Sequence, residues 1–133
     1  MNRVLVDTSV LSYLLKLDTR AELYRGHLEG TTPAISFMTV AEVYFWAEKY
    51  GWGARRRAYV DKTLRTYVVV PCDDALCVSW AKIRRECERK SRRISTADAW
   101  VAACALRYDA PLVTHNRKDF EAISDLQIIS RND

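Results

Sequence analysis

Five short runs rich in Val, Leu and Ile recur along the chain, separated by segments with helical periodicity, and this alternation restricts the fold more than any other feature. The runs fall at 3–6, 34–37, 67–71, 111–114 and 126–129. They are mostly apolar, as expected of strands buried on both faces. Helical segments are predicted at 8–16, 19–29, 40–50, 54–65, 74–90 and 96–108, with a short one at 117–122. Gly30-Thr31-Thr32-Pro33 and Gly51-Trp52-Gly53 break the chain between elements. Strands joined by helices pair in parallel with right-handed crossovers. The expected fold class is therefore α/β, a three-layer α/β/α sandwich around a parallel five-stranded sheet, with residues 1–133 forming a single domain.

Composition excludes several other classes. Hydrophobic residues make up 49% and charged residues 29% of the 133, with 4 Gly and 3 Pro, which is neither a disordered nor a fibrous chain. The longest uncharged stretch, 30–41, falls well short of the roughly 18 apolar residues of a membrane span. The N-terminus enters a strand directly without the pattern of a secretory signal, so a cytoplasmic protein with no membrane association is expected. Cys72, Cys77, Cys87 and Cys104 contain no Cys-x-x-Cys pair and are expected to be reduced, core-filling thiols. Trp46, Trp80 and Trp100 occupy apolar helical positions and read as core or interface residues. Trp52, flanked by glycines, is open to either role, including base stacking. His27 and His115 are isolated from each other and form no motif.

Four acidic positions share one kind of placement. Asp7 follows the first strand, where it can cap the next helix. Thr39-x-x-Glu42, Ser95-x-x-Asp98 and Asn116-x-x-Asp119 each have the form of a capping box, so each has an ordinary structural reading. Together they say more. In a parallel sheet the site forms beyond the carboxyl ends of the strands, and all of these positions fall on that edge. Converging carboxylates repel one another unless some take protons or a cation lies among them. Oxygen donors without a nearby His suit Mg²⁺ or Mn²⁺, which keep water and bind phosphate oxygens. The helix bearing Asp98 is lined with Ala97, Ala99, Ala102, Ala103 and Ala105, small enough to lie close to the sheet.

The net charge of +4 is unevenly spread. Lys82, Arg84, Arg85, Arg89, Lys90, Arg92 and Arg93 face only Glu86 and Glu88 in the segment 82–93, a local excess of +5 just ahead of Asp98. A run of this kind is often a solvated helix face. Beside an acidic edge, Arg84, Arg85, Arg89, Lys90, Arg92 and Arg93 are also candidates for holding a phosphate backbone. Arg55-Arg56-Arg57 is a second, weaker cluster.

Val4-Leu5-Val6-Asp7-Thr8-Ser9, Thr39-Val40-Ala41-Glu42, Ile94-Ser95-Thr96-Ala97-Asp98-Ala99-Trp100 and Leu112-Val113-Thr114-His115-Asn116-x-x-Asp119-Phe120, in this order, resemble the PIN domain. Their spacing is similar to that of VapC toxins of toxin–antitoxin pairs, over nearly the whole chain. The resemblance implies a Mg²⁺- or Mn²⁺-dependent ribonuclease, dimeric, and inhibited by a VapB antitoxin whose C-terminal segment fills the acidic groove. It implies Asp7, Glu42 and Asp98 as metal-binding carboxylates, Glu42 directly or through water. The family's fourth acidic position falls on Asn116, an amide that can orient a water, and Asp119 is the alternative occupant of that role.

Other chemistries fit less well. An aspartyl-nucleophile phosphatase needs a second Asp where Ser9 stands, and a phosphoacceptor domain needs an acidic pair after the first strand. The remaining alternative is a non-catalytic module that binds nucleic acid or a protein partner and carries a vestigial acidic site.

Overall fold

The computed structural model describes residues 2–132. Its strands are β1 (Arg3–Val6), β2 (Thr32–Ser36), β3 (Val68–Val70), β4 (Leu112–Val113) and β5 (Ile128–Ile129). Its α-helices are α1 (Thr8–Lys16), α2 (Glu22–Leu28), α3 (Phe37–Lys49), α4 (Ala54–Leu64), α5 (Asp74–Arg89) and α6 (Thr96–Arg107), with 3₁₀ turns at Thr19–Ala21 and Arg117–Asp119. The sheet order is β3-β2-β1-β4-β5 and every pairing is parallel. The chain winds outward from β1 to β3, then returns to the other side of β1 through α5 and α6. The direction of winding thus changes between β1 and β4, where a crevice opens beyond the strand ends.

Side chains of successive strand residues enter opposite layers. Leu5, Ala34, Val70 and Leu112 pack with α5 and α6 on one face. Val4, Val6, Ile35 and Val113 pack with α1, α3 and α4 and with Tyr24 of α2 on the other. This two-sided burial explains the apolar runs of the central strands, whereas Val68 and Val69 of the edge strand β3 stay exposed. The sandwich and the parallel five-stranded sheet are as the sequence predicts.

Several boundaries differ, each for a local reason. β2 ends at Ser36 and Phe37 already begins α3, because Ser36 Oγ accepts the Met38 N–H at 3.0 Å and caps that helix. Thr39 therefore lies inside α3, and the expected capping box at Thr39-x-x-Glu42 does not form. The predicted helix at 19–29 starts late: Leu17 adopts a left-handed conformation (φ 55°), Asp18 caps a 3₁₀ turn, and α2 follows. The predicted helix at 117–122 is only a 3₁₀ turn, and Asn116 makes no side-chain cap. Among the cysteines, Cys87 and Cys104 are buried as expected, whereas Cys72 and Cys77 are exposed and fill no core. Trp52 belongs to the core, at 8% exposure. No helix among the described residues is long and apolar enough to cross a membrane.

Ser36 is fully buried, caps α3 and accepts a bond from the Cys104 thiol at 3.3 Å. Ser36→Ala is expected to lower stability by about 1 to 2 kcal/mol, read as a lower urea midpoint with an unchanged slope.

Candidate active site

Asp7 occupies the first position beyond β1, and its backbone N–H continues the pairing to β4 by donating to the Val113 carbonyl at 2.9 Å. Its side chain caps α1. Oδ1 accepts the Thr8 N–H at 2.8 Å, while Oδ2 accepts the hydroxyls of Ser9 at 3.0 Å and Thr114 at 2.7 Å. The residue is 3% exposed. Burial raises its pKa, the Thr114, Ser9 and Thr8 bonds oppose that shift, and the charge of Asp119 adds to it. Three donors thus hold the carboxylate rigidly at the change in strand winding.

Glu42 reaches the same place from the second turn of α3. Thr8 Oγ1 donates to Glu42 Oε1 at 3.0 Å and also lies 2.9 Å from Thr39 Oγ1. Thr39 accordingly supports the Glu42 network from within the helix. The Glu42 carboxyl is raised by burial, lowered by Thr8 and raised by Asp7.

Asp98 lies in the first turn of α6, where Ser95 Oγ accepts its backbone N–H at 3.0 Å, so this capping relation forms as expected. Ala99, Ala102, Ala103 and Ala105 are completely buried, which brings the helix against the sheet. Burial pushes the Asp98 carboxyl up to about 6, with further upward contributions from Asp7, Asp119 and Glu42 and an opposing bond from Ser95. Asp7, Glu42, Asp98 and Asp119 therefore share one electrostatic environment, as the placement argument requires. Among the described residues none of the four takes part in an ion pair.

Asn116 and Asp119 are exposed at the rim. The Asn116 backbone N–H donates to Thr114 Oγ1 at 3.0 Å, so the hydroxyl that holds Asp7 also holds this loop. His115 turns away from donor duty: its Nδ1 lies 2.6 Å from Tyr24 Oη and its ring packs edge-on against Tyr13. The donor set is all oxygen, the chemistry suited to Mg²⁺ or Mn²⁺. Among the described residues no group of three His, Cys, Asp or Glu side chains is arranged so that it could hold a metal ion. Burial, with smaller contributions from mutual repulsion, raises Asp7, Glu42 and Asp98 at this edge.

The basic candidates divide into two sets. Lys90 bonds Glu86 at 3.1 Å and the Ala122 carbonyl at 2.6 Å, and Arg92 bonds Glu121 at 3.0 Å and the Lys118 carbonyl at 3.2 Å. Both tie the end of α5 to the segment after β4. Arg84, Arg85, Arg92 and Arg93 line a groove of about 670 Å³ with Trp80 and Ile94, so Arg92 belongs to both sets. Arg85 pairs with Glu88 at 2.7 Å. Arg89 is exposed on the same stretch. Arg84 donates to Thr96 Oγ1 at 3.2 Å and Trp80 Nε1 to the Thr96 carbonyl at 3.3 Å, so the groove adjoins the turn that carries Asp98.

Sequence reasoning missed the hydroxyls of Thr8, Ser9, Thr39 and Thr114. Their signal was present in the strand-end placement of Thr8-Ser9 and Thr114, but a hydroxyl at a strand end is too common to stand out before the partners are known.

The PIN-domain family profile matches residues 4–126. Ribonuclease VapC1 of Haemophilus influenzae is 31% identical over 128 residues, covering 92% of this chain and 93% of the relative. The tRNA(fMet)-specific endonuclease VapC of Shigella flexneri is 25% identical, covering 96% of each chain. Among solved structures, VapBC-1 from nontypeable Haemophilus influenzae superposes with a TM-score of 0.80 at 27% identity, covering 96% of this chain and 97% of the matched chain. With the acidic crevice at the β1–β4 switch and a match spanning nearly its full length, this chain belongs to the PIN-domain family and is a relative of the VapC ribonucleases.

Proposed function

We propose that this protein is a divalent-metal-dependent endoribonuclease and the toxin of a toxin–antitoxin pair. The observation that carries this reading is the placement of Asp7, Glu42, Asp98 and Asp119 at one edge, where burial first and mutual repulsion second raise Asp7, Glu42 and Asp98, and where none of the four has an ion-pair partner among the described residues. Relatives named as ribonucleases and an endonuclease support the choice of RNA as substrate.

In this reading Asp7 and Asp98 hold Mg²⁺ or Mn²⁺, Glu42 acts directly or through water, and Asp119 contributes charge from the rim. Bound there, the ion supplies charge neutralisation for a phosphodiester and favours its attack by water. The protein's own groups supply position. Thr8, Ser9 and Thr114 fix the Asp7 and Glu42 carboxylates, and Asn116 orients a water with its amide. Arg84, Arg85, Arg89, Arg92 and Arg93 hold the RNA backbone; Lys90 contributes less, because it bonds both Glu86 and the Ala122 carbonyl. A VapB-like antitoxin would inhibit by laying a basic or amphipathic segment over the acidic edge, with Trp46 at its apolar rim. A homodimer is part of the same reading. Exposed Tyr44, Phe45 and Tyr50 on and beside α3 are apolar surface that such assembly could cover.

Asp7→Asn and Asp98→Asn are expected to abolish RNA cleavage while the protein still folds, and wild-type cleavage is expected to vanish in EDTA and return with Mg²⁺ or Mn²⁺. Cleavage that survives EDTA or either substitution refutes the metal-dependent reading, and RNA binding without cleavage would favour the non-catalytic module.

The rim residues have a graded expectation. Asn116→Ala costs less activity than Asp98→Asn. Asp119→Asn raises the Mn²⁺ concentration for half-maximal cleavage several-fold without abolishing it. A loss from Asp119→Asn as deep as that from Asp98→Asn would make Asp119 a direct ligand.

Stability without metal depends on pH through Asp98. Its carboxyl titrates near 6 in the fold but at about 3.9 in the unfolded chain. The folded state therefore binds the proton more tightly, and this group's contribution falls as pH rises from about 4 through 6. In EDTA, Asp98→Asn is expected to raise Tm at pH 7 and to leave it nearly unchanged at pH 4.

A further inference from the structure

Two thiols outside the acidic site are set face to face. Asp73 caps α5 by accepting the Leu76 N–H at 2.8 Å. Cys72 immediately precedes this cap and Cys77 is the fourth residue of the helix, the two positions whose side chains commonly pack together across a helix start. Here both are cysteines, both are exposed, and their sulfurs lie 3.9 Å apart. A disulfide needs about 2.0 Å, so closure requires about 2 Å of sulfur movement. Cys72 lies on the exposed turn after β3, where side-chain rotation can supply that movement. Cys87 and Cys104 do not compete, being buried, and the Cys104 thiol is committed to Ser36.

We propose that Cys72 and Cys77 are a reversible oxidation site, closing to an intramolecular disulfide by exchange with low-molecular-weight disulfides and stapling the first turn of α5. The thiolate of one cysteine attacks the small disulfide, forming a mixed disulfide and expelling one small thiolate, which takes up a proton. The second cysteine then loses its proton and attacks the protein sulfur of the mixed disulfide, expelling the second small thiol. Two protein thiols are oxidised and one small disulfide is reduced to two thiols. Lost hydration, the neighbouring Cys77 and the charge of Asp73 raise the Cys72 thiol, so exchange accelerates as pH rises. The hydrogen bonds that hold Asp7, Glu42 and Asp98 do not involve residues 72–77, so closure leaves the acidic site intact. What changes is the anchoring of α5, the helix that presents Trp80, Arg84 and Arg85 to the groove. This inference is independent of the ribonuclease reading.

The test exposes the full chain to oxidised glutathione at pH 8, blocks remaining thiols by alkylation and measures the mass. The expected product is a species that takes up two fewer alkyl groups than the reduced control, with no glutathione attached, a Cys72–Cys77 cross-link in the peptide map, full reversal by dithiothreitol and several-fold slower amide exchange in the first turn of α5. In Cys72→Ser the resolving thiol is gone, so a glutathione adduct at Cys77 accumulates. An equally persistent adduct in the unsubstituted chain, a disulfide-linked dimer, or thiols that stay free at both positions would each overturn the proposal.

Discussion

The buried carboxylate of Asp7 is the interaction on which the rest of the site depends. A charge at 3% exposure is tolerable only with its oxygens satisfied, and three donors satisfy them: the Thr8 N–H, the Ser9 hydroxyl and the Thr114 hydroxyl. Those donors come from the start of α1 and the end of β4, so meeting this one requirement joins the two strands between which the winding direction changes. The network continues outward. Thr8 holds Glu42, Thr114 holds the backbone of Asn116, and Ser9 accepts the His115 N–H at 3.2 Å. One buried acid thus organises the loop after β4 and the first turns of α1 and α3 into a single polar cluster.

The acidic edge is electrostatically unfavourable in the protein alone. The hydrogen bonds stabilise the charged forms, yet burial and mutual repulsion still raise Asp7, Glu42 and Asp98. Folding supports this arrangement from elsewhere, through two apolar layers and an alanine-rich α6 whose Ala99, Ala102, Ala103 and Ala105 are buried against the sheet. Carboxyls raised together by burial and mutual repulsion at a crevice have the character of a functional site rather than a stabilising network.

How much of this was legible in the chain depends on the range of the interaction concerned. Strand existence and parallel pairing follow from short apolar runs separated by helices, so they could be read directly, and the helix-start placement of Asp7, Glu42 and Asp98 pointed to one edge. Boundaries could not. Ser36 and Thr39 are both good caps three residues apart, and the choice of Ser36 follows from its burial against Cys104, a contact 68 residues away in sequence. Cys72 and Cys77 looked like core because helical periodicity does not reveal which face an edge helix leaves uncovered. The hydroxyl partners of Asp7 were invisible for the same reason: Thr114 is 107 residues from Asp7, and only the sheet order brings them together.

The basic segment shows why charge counts alone do not locate a nucleic-acid surface. Its excess of +5 suggests one continuous patch, but the fold divides it by neighbours. Lys90 and Arg92 sit beside carbonyls and carboxylates of the segment following β4 and act as struts, with Glu86 also accepting the Ser124 hydroxyl and its backbone N–H. Arg84 and Arg93, together with Arg92, line an open groove whose wall continues through Thr96 to the turn bearing Asp98. The struts and the groove are coupled, because the segment fixed by Lys90 and Arg92 is the one that presents Asp119 to the acidic crevice. A substitution at Lys90 or Arg92 would therefore act on the acidic site through the placement of Asp119, whereas one at Arg93 would act only on what enters the groove.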